Sequence, residues 1–98
     1  MTMRLRRSEL ATPASSVKMI HKAAASTADL VFLDLEDAVA PAQKVAARAN
    51  VVQALNALDW GTKLRAVRVN GAHTEWAYAD TIAVVEGAGK NVDLLILP

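Results

Sequence analysis

Charged residues stand at the ends of two apolar stretches of this 98-residue sequence, where they could bind an anionic substrate. The first stretch ends in Asp34, Glu36 and Asp37, and the second carries Arg68 near its end. An arginine guanidinium can hold a carboxylate through two parallel hydrogen bonds, and neighbouring carboxylates can orient water, a metal ion or the arginine itself. The pattern leaves a second interpretation equally open, in which these charges form a buried ion pair that ties two strands together.

The positions of these charges matter because ligands bind outside the carboxyl ends of parallel strands, in both barrels and open sheets. Side chains alternate between the two faces of a strand, so Asp34 and Glu36 share one face with Phe32. Arg68 shares a face with Ala66 in the next stretch. The acidic residues and Arg68 therefore converge at one mouth if the two stretches are neighbouring parallel strands.

Apolar runs predict four β-strands that alternate with three α-helices along the chain. The strands are predicted near 9–12, 29–35, 64–69 and 92–97, and the helices near 16–25, 41–58 and 74–88. Ser15 or Ser16 is the expected N-cap of the first helix, and Thr74 that of the third. This alternation predicts an α/β protein with parallel strands and right-handed crossovers.

The face that the second helix buries is predicted from the spacing of its apolar residues. One stripe recurs at intervals of three and four residues and consists of Val45, Ala49, Val52, Leu55 and Leu58. Lys18, Lys22, Lys44 and Arg48 are expected to be solvated charges on the helices, since isolated helix cations usually lie in water. His21 and His73 are expected to be surface or packing residues, because neither has a ligand-type partner at helical spacing.

Two architectures agree with this order of elements. One is the N-terminal part of a (β/α)₈ TIM barrel, a fold that needs about 250 residues. The other is a small open flavodoxin-like sheet, in which the strand order reverses around the first strand. The sequence stops at Pro98, directly after the fourth apolar stretch, and a bare edge strand invites association. This favours residues 1–98 as the truncated N-terminal half of a barrel.

Composition excludes several classes of function. Eleven Lys and Arg residues against ten Asp and Glu residues give a net charge of +1, so no basic surface for nucleic acid or membrane lipid is expected. The absence of cysteine excludes disulfides, zinc–cysteine sites and thiol catalysis. Neither a signal peptide nor an apolar run near the roughly 18 residues of a membrane span is found, so we expect a cytoplasmic protein. No nucleotide phosphate loop, zinc-protease motif or serine nucleophile motif occurs.

Short motifs along nearly the whole chain resemble the HpcH/HpaI aldolase and citrate lyase β-subunit superfamily. Within it, they are most similar to the malyl-CoA and β-methylmalyl-CoA lyase type. The motifs are R-S-E-L at 7–10, Pro13, Lys18-Met19, L-D-L-E-D-A-V-A-P at 33–41, Lys44, Ala47-Arg48, L-D-W-G at 58–61, V-R-V-N-G at 67–71 and Leu97-Pro98.

The resemblance implies a (β/α)₈ barrel that assembles as a homotrimer or hexamer and depends on Mg²⁺. It implies the formation or cleavage of a carbon–carbon bond between an acyl-CoA and a 2-oxo acid such as glyoxylate or oxaloacetate. Arg68 matches the family arginine that contacts the carboxylate or oxo oxygen of the substrate. Glu36 and Asp37 match the acidic pair near the metal ion, which they would not bind directly.

The resemblance also implies where coenzyme A and the metal ion are held. The N-terminal strand and the loop after it contact coenzyme A, which corresponds to Ala11, Thr12 and Lys18. The Mg²⁺ ligands of the family are a Glu and an Asp on later strands, beyond the position of Pro98, so no metal ligand is expected in this chain.

Two functions are therefore expected from the sequence. The first is an acyl-CoA lyase of the malyl-CoA, citramalyl-CoA or citryl-CoA type, inactive as the isolated 98 residues because its metal ligands are missing. The second is a non-catalytic, self-associating half-barrel module that binds coenzyme A or a carboxylate. The identity of the acyl-CoA and of the oxo acid is left open.

Overall fold

Residues 8–98 are described by a computed structural model, in which strands and helices alternate as predicted. The main elements are β1 (Glu9–Pro13), α1 (Val17–Ala25), β2 (Leu30–Asp34), α2 (Lys44–Ala57), β3 (Leu64–Arg68), α3 (Ala77–Ala88) and β4 (Leu94–Ile96). Short 3₁₀ turns precede α2 and follow α3. Within this range, none of the helices is long and apolar enough to span a membrane.

The four strands form one parallel sheet in the order β1-β2-β3-β4. Each helix thus returns the chain to the next position in the sheet, as successive units of a (β/α)₈ barrel do. A flavodoxin-like sheet would place β1 between β2 and β3. That alternative is wrong, because β2 lies between β1 and β3, and among residues 8–98 β1 pairs with β2 alone.

One face of the sheet is covered by the helices. Val31, Leu33 and Val67 of the strands lie in the same buried apolar cluster as Ile20 of α1 and Val51 of α2. Val84 of the third helix, α3, belongs to the same cluster. The opposite face of the strands carries Phe32, Asp34, Ala66 and Arg68, as alternation requires.

The predicted start of α1 is confirmed, and that of α3 is wrong. The Ser16 hydroxyl accepts a hydrogen bond from the Met19 backbone N–H, so Ser16 is the N-cap of α1. Thr74 instead donates its hydroxyl hydrogen to the Gly71 carbonyl, and α3 begins only at Ala77. Thr74 closes a turn after β3 because its side chain finds a local carbonyl before the helix begins.

The predicted buried stripe of α2 is confirmed at Leu55, and Val52 and Leu58 pack against the core, but the prediction is wrong at Val45 and Ala49, which are exposed. Val45, its first member, is 64% exposed. The residues that α2 buries are Lys44, Ala47, Val51, Ala54 and Leu55. Alanine and valine occupy several sides of this helix, so two stripes have the same spacing, and the apolar pattern does not distinguish them. The stripe that the structure buries includes a lysine, whose burial is tolerated because its ammonium finds hydrogen-bond acceptors inside the protein.

The close approach of α3 to α2 at Gly87 gives a testable prediction. A β-carbon at Gly87 would lie 2.8 Å from Cγ1 of Val52, which is too close. We expect Gly87→Ala to lower the free energy of unfolding by about 1–3 kcal/mol, although alanine is the better helix former. Urea unfolding measures this, and the double variant with Val52→Ala should recover the loss. Gly89→Ala is the control, since a β-carbon there meets no atom of residues 8–98 within 4 Å.

Candidate functional site

Asp34 and Arg68 lie side by side at the carboxyl ends of β2 and β3, so the predicted convergence is confirmed. The two residues are direct partners in the sheet register. The Arg68 Nη2 donates to Asp34 Oδ2 at 2.7 Å, and the Arg68 Nε donates to Asp34 Oδ1 at 3.0 Å. Both bonds use one edge of the guanidinium. Among residues 8–98, the Nη1 group on its other edge has no hydrogen-bond partner, and the side chain is 28% exposed.

The Asp34 carboxylate is buried and accepts hydrogen bonds on both oxygens. Besides the two from Arg68, it accepts the backbone N–H of Glu36 at 2.8 Å and that of Ala38 at 3.2 Å. Burial acts to raise the pKa of Asp34, but the hydrogen bonds from Arg68, Glu36 and Ala38 outweigh it and leave the pKa below its usual value. The hydrogen bond with Asp34 in turn raises the pKa of Arg68. The pair is therefore ionised at neutral pH.

The lowered pKa of Asp34 predicts a stability change in acid. An aspartate with a depressed pKa stabilises the fold above its unfolded-state pKa of about 3.9, and this contribution is lost as the pH falls through the lower folded-state value. We expect the free energy of unfolding of the wild type to fall more steeply below about pH 4 than that of Asp34→Asn. Urea unfolding between neutral pH and acid measures the difference. Equal pH slopes for the two proteins would contradict the assignment.

The other predicted acidic residues lie near Arg68 at different distances. The Glu36 Oε1 is 3.6 Å from the Arg68 Nε. Asp37 is exposed, and its charge contributes to the raised pKa of Arg68 without direct contact. The Phe32 ring supports the guanidinium, whose central carbon lies 5.5 Å from the ring centroid. The catalytic roles assigned to Arg68, Glu36 and Asp37 stay predictions.

The residues predicted to contact coenzyme A differ in accessibility. Ala11 is exposed and pairs with Phe32 in the sheet register. Lys18 is exposed in the first turn of α1. Thr12 is nearly fully buried, which leaves its side chain little surface for a ligand. Their contact with coenzyme A stays a prediction.

A second polar cluster, which the sequence patterns do not predict, joins the ends of β2 and β3 to α2 and α3. The Lys44 ammonium donates to the Leu35 carbonyl at 2.9 Å and to Asn70 Oδ1 at 2.7 Å. The Asn70 side chain donates to the Leu35 carbonyl and to the fully buried Asp80. Asp80 also accepts the Asn70 backbone N–H at 2.9 Å and the Arg48 Nε at 2.7 Å.

The expectation that Lys44 and Arg48 are solvated is therefore wrong. Lys44 is 6% exposed, and the Arg48 side chain is 16% exposed. The guanidinium of Arg48 also lies 5.9 Å from the centre of the Trp76 ring. Their spacing of four residues, on the same stripe as Ala47 and Val51, is the signal that could have identified them. Lys18 and Lys22 are exposed as expected.

The described residues do not fit as a coordination set for Mg²⁺. Among residues 8–98, no group of three or more His, Cys, Asp or Glu side chains is arranged to hold a metal ion. Both oxygens of Asp34 already accept hydrogen bonds. The Glu36 carboxylate already faces the Arg68 guanidinium at 3.6 Å, which disfavours a second cation on the same group.

Comparison with known proteins identifies the family. A sequence profile of the HpcH/HpaI aldolase/citrate lyase family matches residues 7–98. The chain belongs to this family. The resemblance in the motifs around Asp34 and Arg68 is thereby confirmed, and those residues lie inside the matched region.

Two relatives in this family are named for reactions of coenzyme A thioesters. The L-malyl-CoA/beta-methylmalyl-CoA lyase of Cereibacter sphaeroides is 46% identical over 92 residues, which are 94% of this chain and 29% of that protein. A (3S)-malyl-CoA thioesterase of the same species is 41% identical over 92 residues, which are 94% of this chain and 31% of that protein. The chain thus spans less than a third of the length of these relatives.

Solved structures of the family show the same fold. The citrate lyase beta subunit of Mycobacterium tuberculosis, complexed with oxaloacetate and magnesium, is 37% identical with a TM-score of 0.76. The match covers 98% of this chain and 41% of that one. CitE of the same organism, in complex with magnesium, acetoacetate and coenzyme A, is 36% identical with a TM-score of 0.72 and covers 96% of this chain and 33% of that one. These neighbours are TIM barrels, so the predicted N-terminal part of a (β/α)₈ barrel is confirmed.

Proposed function

We propose that this chain is part of a carbon–carbon lyase that joins or separates an acyl-CoA and a 2-oxo acid. The larger CoA thioester, which is formed when the two are joined and consumed when they are separated, is of the malyl-CoA, citramalyl-CoA or citryl-CoA type. The observation that carries the proposal is the guanidinium of Arg68, which is fixed along one edge and open along the other at the carboxyl end of the sheet. The names of the relatives support the same chemistry.

Arg68 is suited to bind the oxo acid. Asp34 holds the Nε and Nη2 edge, so the group is oriented before any ligand arrives and little side-chain entropy is lost on binding. The remaining N–H groups, on Nη1 and Nη2, can donate to a carboxylate or to an oxo oxygen of the substrate. In this proposal, Arg68 binds the oxo acid, and Glu36 and Asp37 orient water, the metal ion or Arg68 itself.

The charge around Arg68 favours a cation as a further component. The Arg68 guanidinium and the Lys44 ammonium lie beside the segment with the carboxylates of Asp34, Glu36 and Asp37, which leaves an excess of one negative charge at this end of the sheet. An anionic oxo acid would be repelled there unless a cation accompanied it. This supports Mg²⁺ as the cofactor. Its ligands in the proposed enzyme are acidic residues other than those of 8–98, which do not form a coordination set.

The remaining parts of the proposal concern coenzyme A and assembly. Lys18 is exposed at the start of α1, where its ammonium can pair with a phosphate of coenzyme A, and Ala11 and Thr12 lie on the preceding strand. We propose a cytoplasmic homotrimer or hexamer, as the resemblance implies.

The decisive experiment uses the protein as its native host produces it. We expect an intact mass roughly three times 10.4 kDa, because the chain spans 29% of a related lyase. We expect that protein to cleave malyl-CoA to acetyl-CoA and glyoxylate, and to lose activity when Mg²⁺ is chelated. Release of free coenzyme A without glyoxylate would assign the protein to thioester hydrolysis instead. A self-associating 10.4 kDa protein without turnover would favour the non-catalytic module.

A further inference from the structure

We propose that Lys44 is a positioning residue that fixes the segment 35–40 beside Arg68. This segment carries Glu36 and Asp37. The catalytic part of the proposal rests on the proposed function, whereas the structural part is independent of it.

The three N–H groups of the Lys44 ammonium are all used in holding the ends of two strands. They donate to the Leu35 carbonyl at 2.9 Å, the Glu36 carbonyl at 2.9 Å and Asn70 Oδ1 at 2.7 Å. Among residues 8–98, no carboxylate forms an ion pair with Lys44. The partners are thus neutral oxygens, two of which belong to the backbone of the segment itself.

The position of Lys44 is electrostatically unfavourable by itself. Lys44 begins α2, where the positive end of the helix dipole repels a cation. It is also 6% exposed, and a buried ammonium loses its hydration. An apolar residue would fill this space without either cost. A lysine at this place is therefore explained by the carbonyl groups that it holds.

The segment 35–40 is held from two sides as a result. Its Glu36 and Ala38 backbone N–H groups donate to the Asp34 carboxylate, and its first two carbonyls accept from Lys44. Asn70 links this arrangement to β3, because its amide also donates to the Leu35 carbonyl. The 3.6 Å separation between Glu36 Oε1 and the Arg68 Nε depends on this support.

Backbone hydrogen exchange tests the structural part in the protein as its host produces it. Lys44→Met removes the donors and keeps most of the volume. The Val39 backbone N–H donates to the Glu36 carbonyl at 3.2 Å. We expect the Glu36, Ala38 and Val39 amides to exchange on the order of tenfold faster in this variant, while the amides of α1 keep their wild-type rates. Lys22→Met, at an exposed lysine of α1, is the control and should change neither set.

Enzyme kinetics test the catalytic part. A loosened segment must be ordered when the oxo acid binds, so Lys44→Met should raise KM several-fold and change kcat less. A loss of folded protein alone would lower kcat and leave KM unchanged. Lys44→Arg, which keeps the charge and N–H donors, should recover part of the wild-type KM.

Asn70→Ala keeps Lys44 but removes its side-chain acceptor, so it provides a second variant if Lys44→Met does not fold. It should speed exchange of the same three amides. The proposal is overturned if exchange at Glu36, Ala38 and Val39 is unchanged, or if it rises equally in α1. Absence of lyase activity in the wild type would count against the proposed function alone, because the exchange result does not depend on it.

Discussion

Replacing Arg68 by alanine is expected to lower kcat/KM of the proposed lyase by about 30- to 1,000-fold, or roughly 2–4 kcal/mol. The variant removes the charge-assisted hydrogen bonds to the oxo acid and leaves the buried Asp34 carboxylate without its partner. Steady-state kinetics with a malyl-CoA type substrate measure the loss. Urea unfolding in parallel corrects for any decrease in the folded fraction.

Two further variants test whether the effect needs the planar guanidinium of Arg68. One keeps only its positive charge, and the other removes a different arginine of β3. Arg68→Lys keeps a positive charge but lacks the planar fork that binds Asp34 along one edge and presents the other edge to a substrate carboxylate, so its activity should lie between wild type and alanine. Arg65→Ala is the control, since Arg65 lies on the other face of β3, where its Nε is 3.3 Å from Asp93. Wild-type kcat/KM in Arg68→Ala would refute the assignment of Arg68 to substrate binding.

The sequence left two interpretations of Asp34 and Arg68 open, a site for an anionic substrate and an ion pair between strands, and the structure is compatible with both. The pair is an ion pair between neighbouring strands, with two hydrogen bonds on one edge of the guanidinium. The other edge remains available for a ligand. Parallel pairing alone explains why the sequence could predict this contact, since both residues stand at the same height at the carboxyl ends of their strands.

The strand order and the α2 face show what sequence patterns can and cannot determine. Alternation of strands and helices predicts parallel pairing but agrees with both a barrel and a flavodoxin-like order, and the motif resemblance made the second less favoured. The stripe predicted from the helical periodicity of α2 was partly wrong, because apolar residues occur on more than one side, as Val45 and Val51 illustrate. Contacts distant in sequence, such as that of Lys44 with Asn70, show how a charged residue is accommodated on the buried side.

The cluster around Asp80 was missed for the same reason. Asp80 lies in α3, and its partners Arg48 and Asn70 lie in α2 and after β3. A single aspartate in a helix normally lies in water, so local sequence gave no indication of burial. The contacts become apparent only when the three elements are placed together.

The largest effect on stability is expected at Asp80, because it is fully buried and holds three elements together. Asp80→Ala removes the acceptor for the Arg48 guanidinium and for the backbone and side-chain N–H groups of Asn70. Removing one partner of such a largely buried pair costs about 3–5 kcal/mol, since the Arg48 guanidinium is left with the Trp76 carbonyl and ring, which carry no opposite charge. Domains of this size are stabilised by about 5–15 kcal/mol, so a large part of the stability would be lost.

Urea unfolding measures this loss against a matched surface aspartate. Asp59 is exposed, and its Oδ1 accepts only the backbone N–H of Gly61 among the hydrogen bonds described for residues 8–98. Asp59→Ala should lower the free energy of unfolding by about 1 kcal/mol or less. The double variant Arg48→Met with Asp80→Ala should be more stable than Asp80→Ala alone, because it removes the uncompensated charge. If Asp80→Ala is as stable as Asp59→Ala, the buried cluster does not stabilise the fold in the way that its geometry indicates.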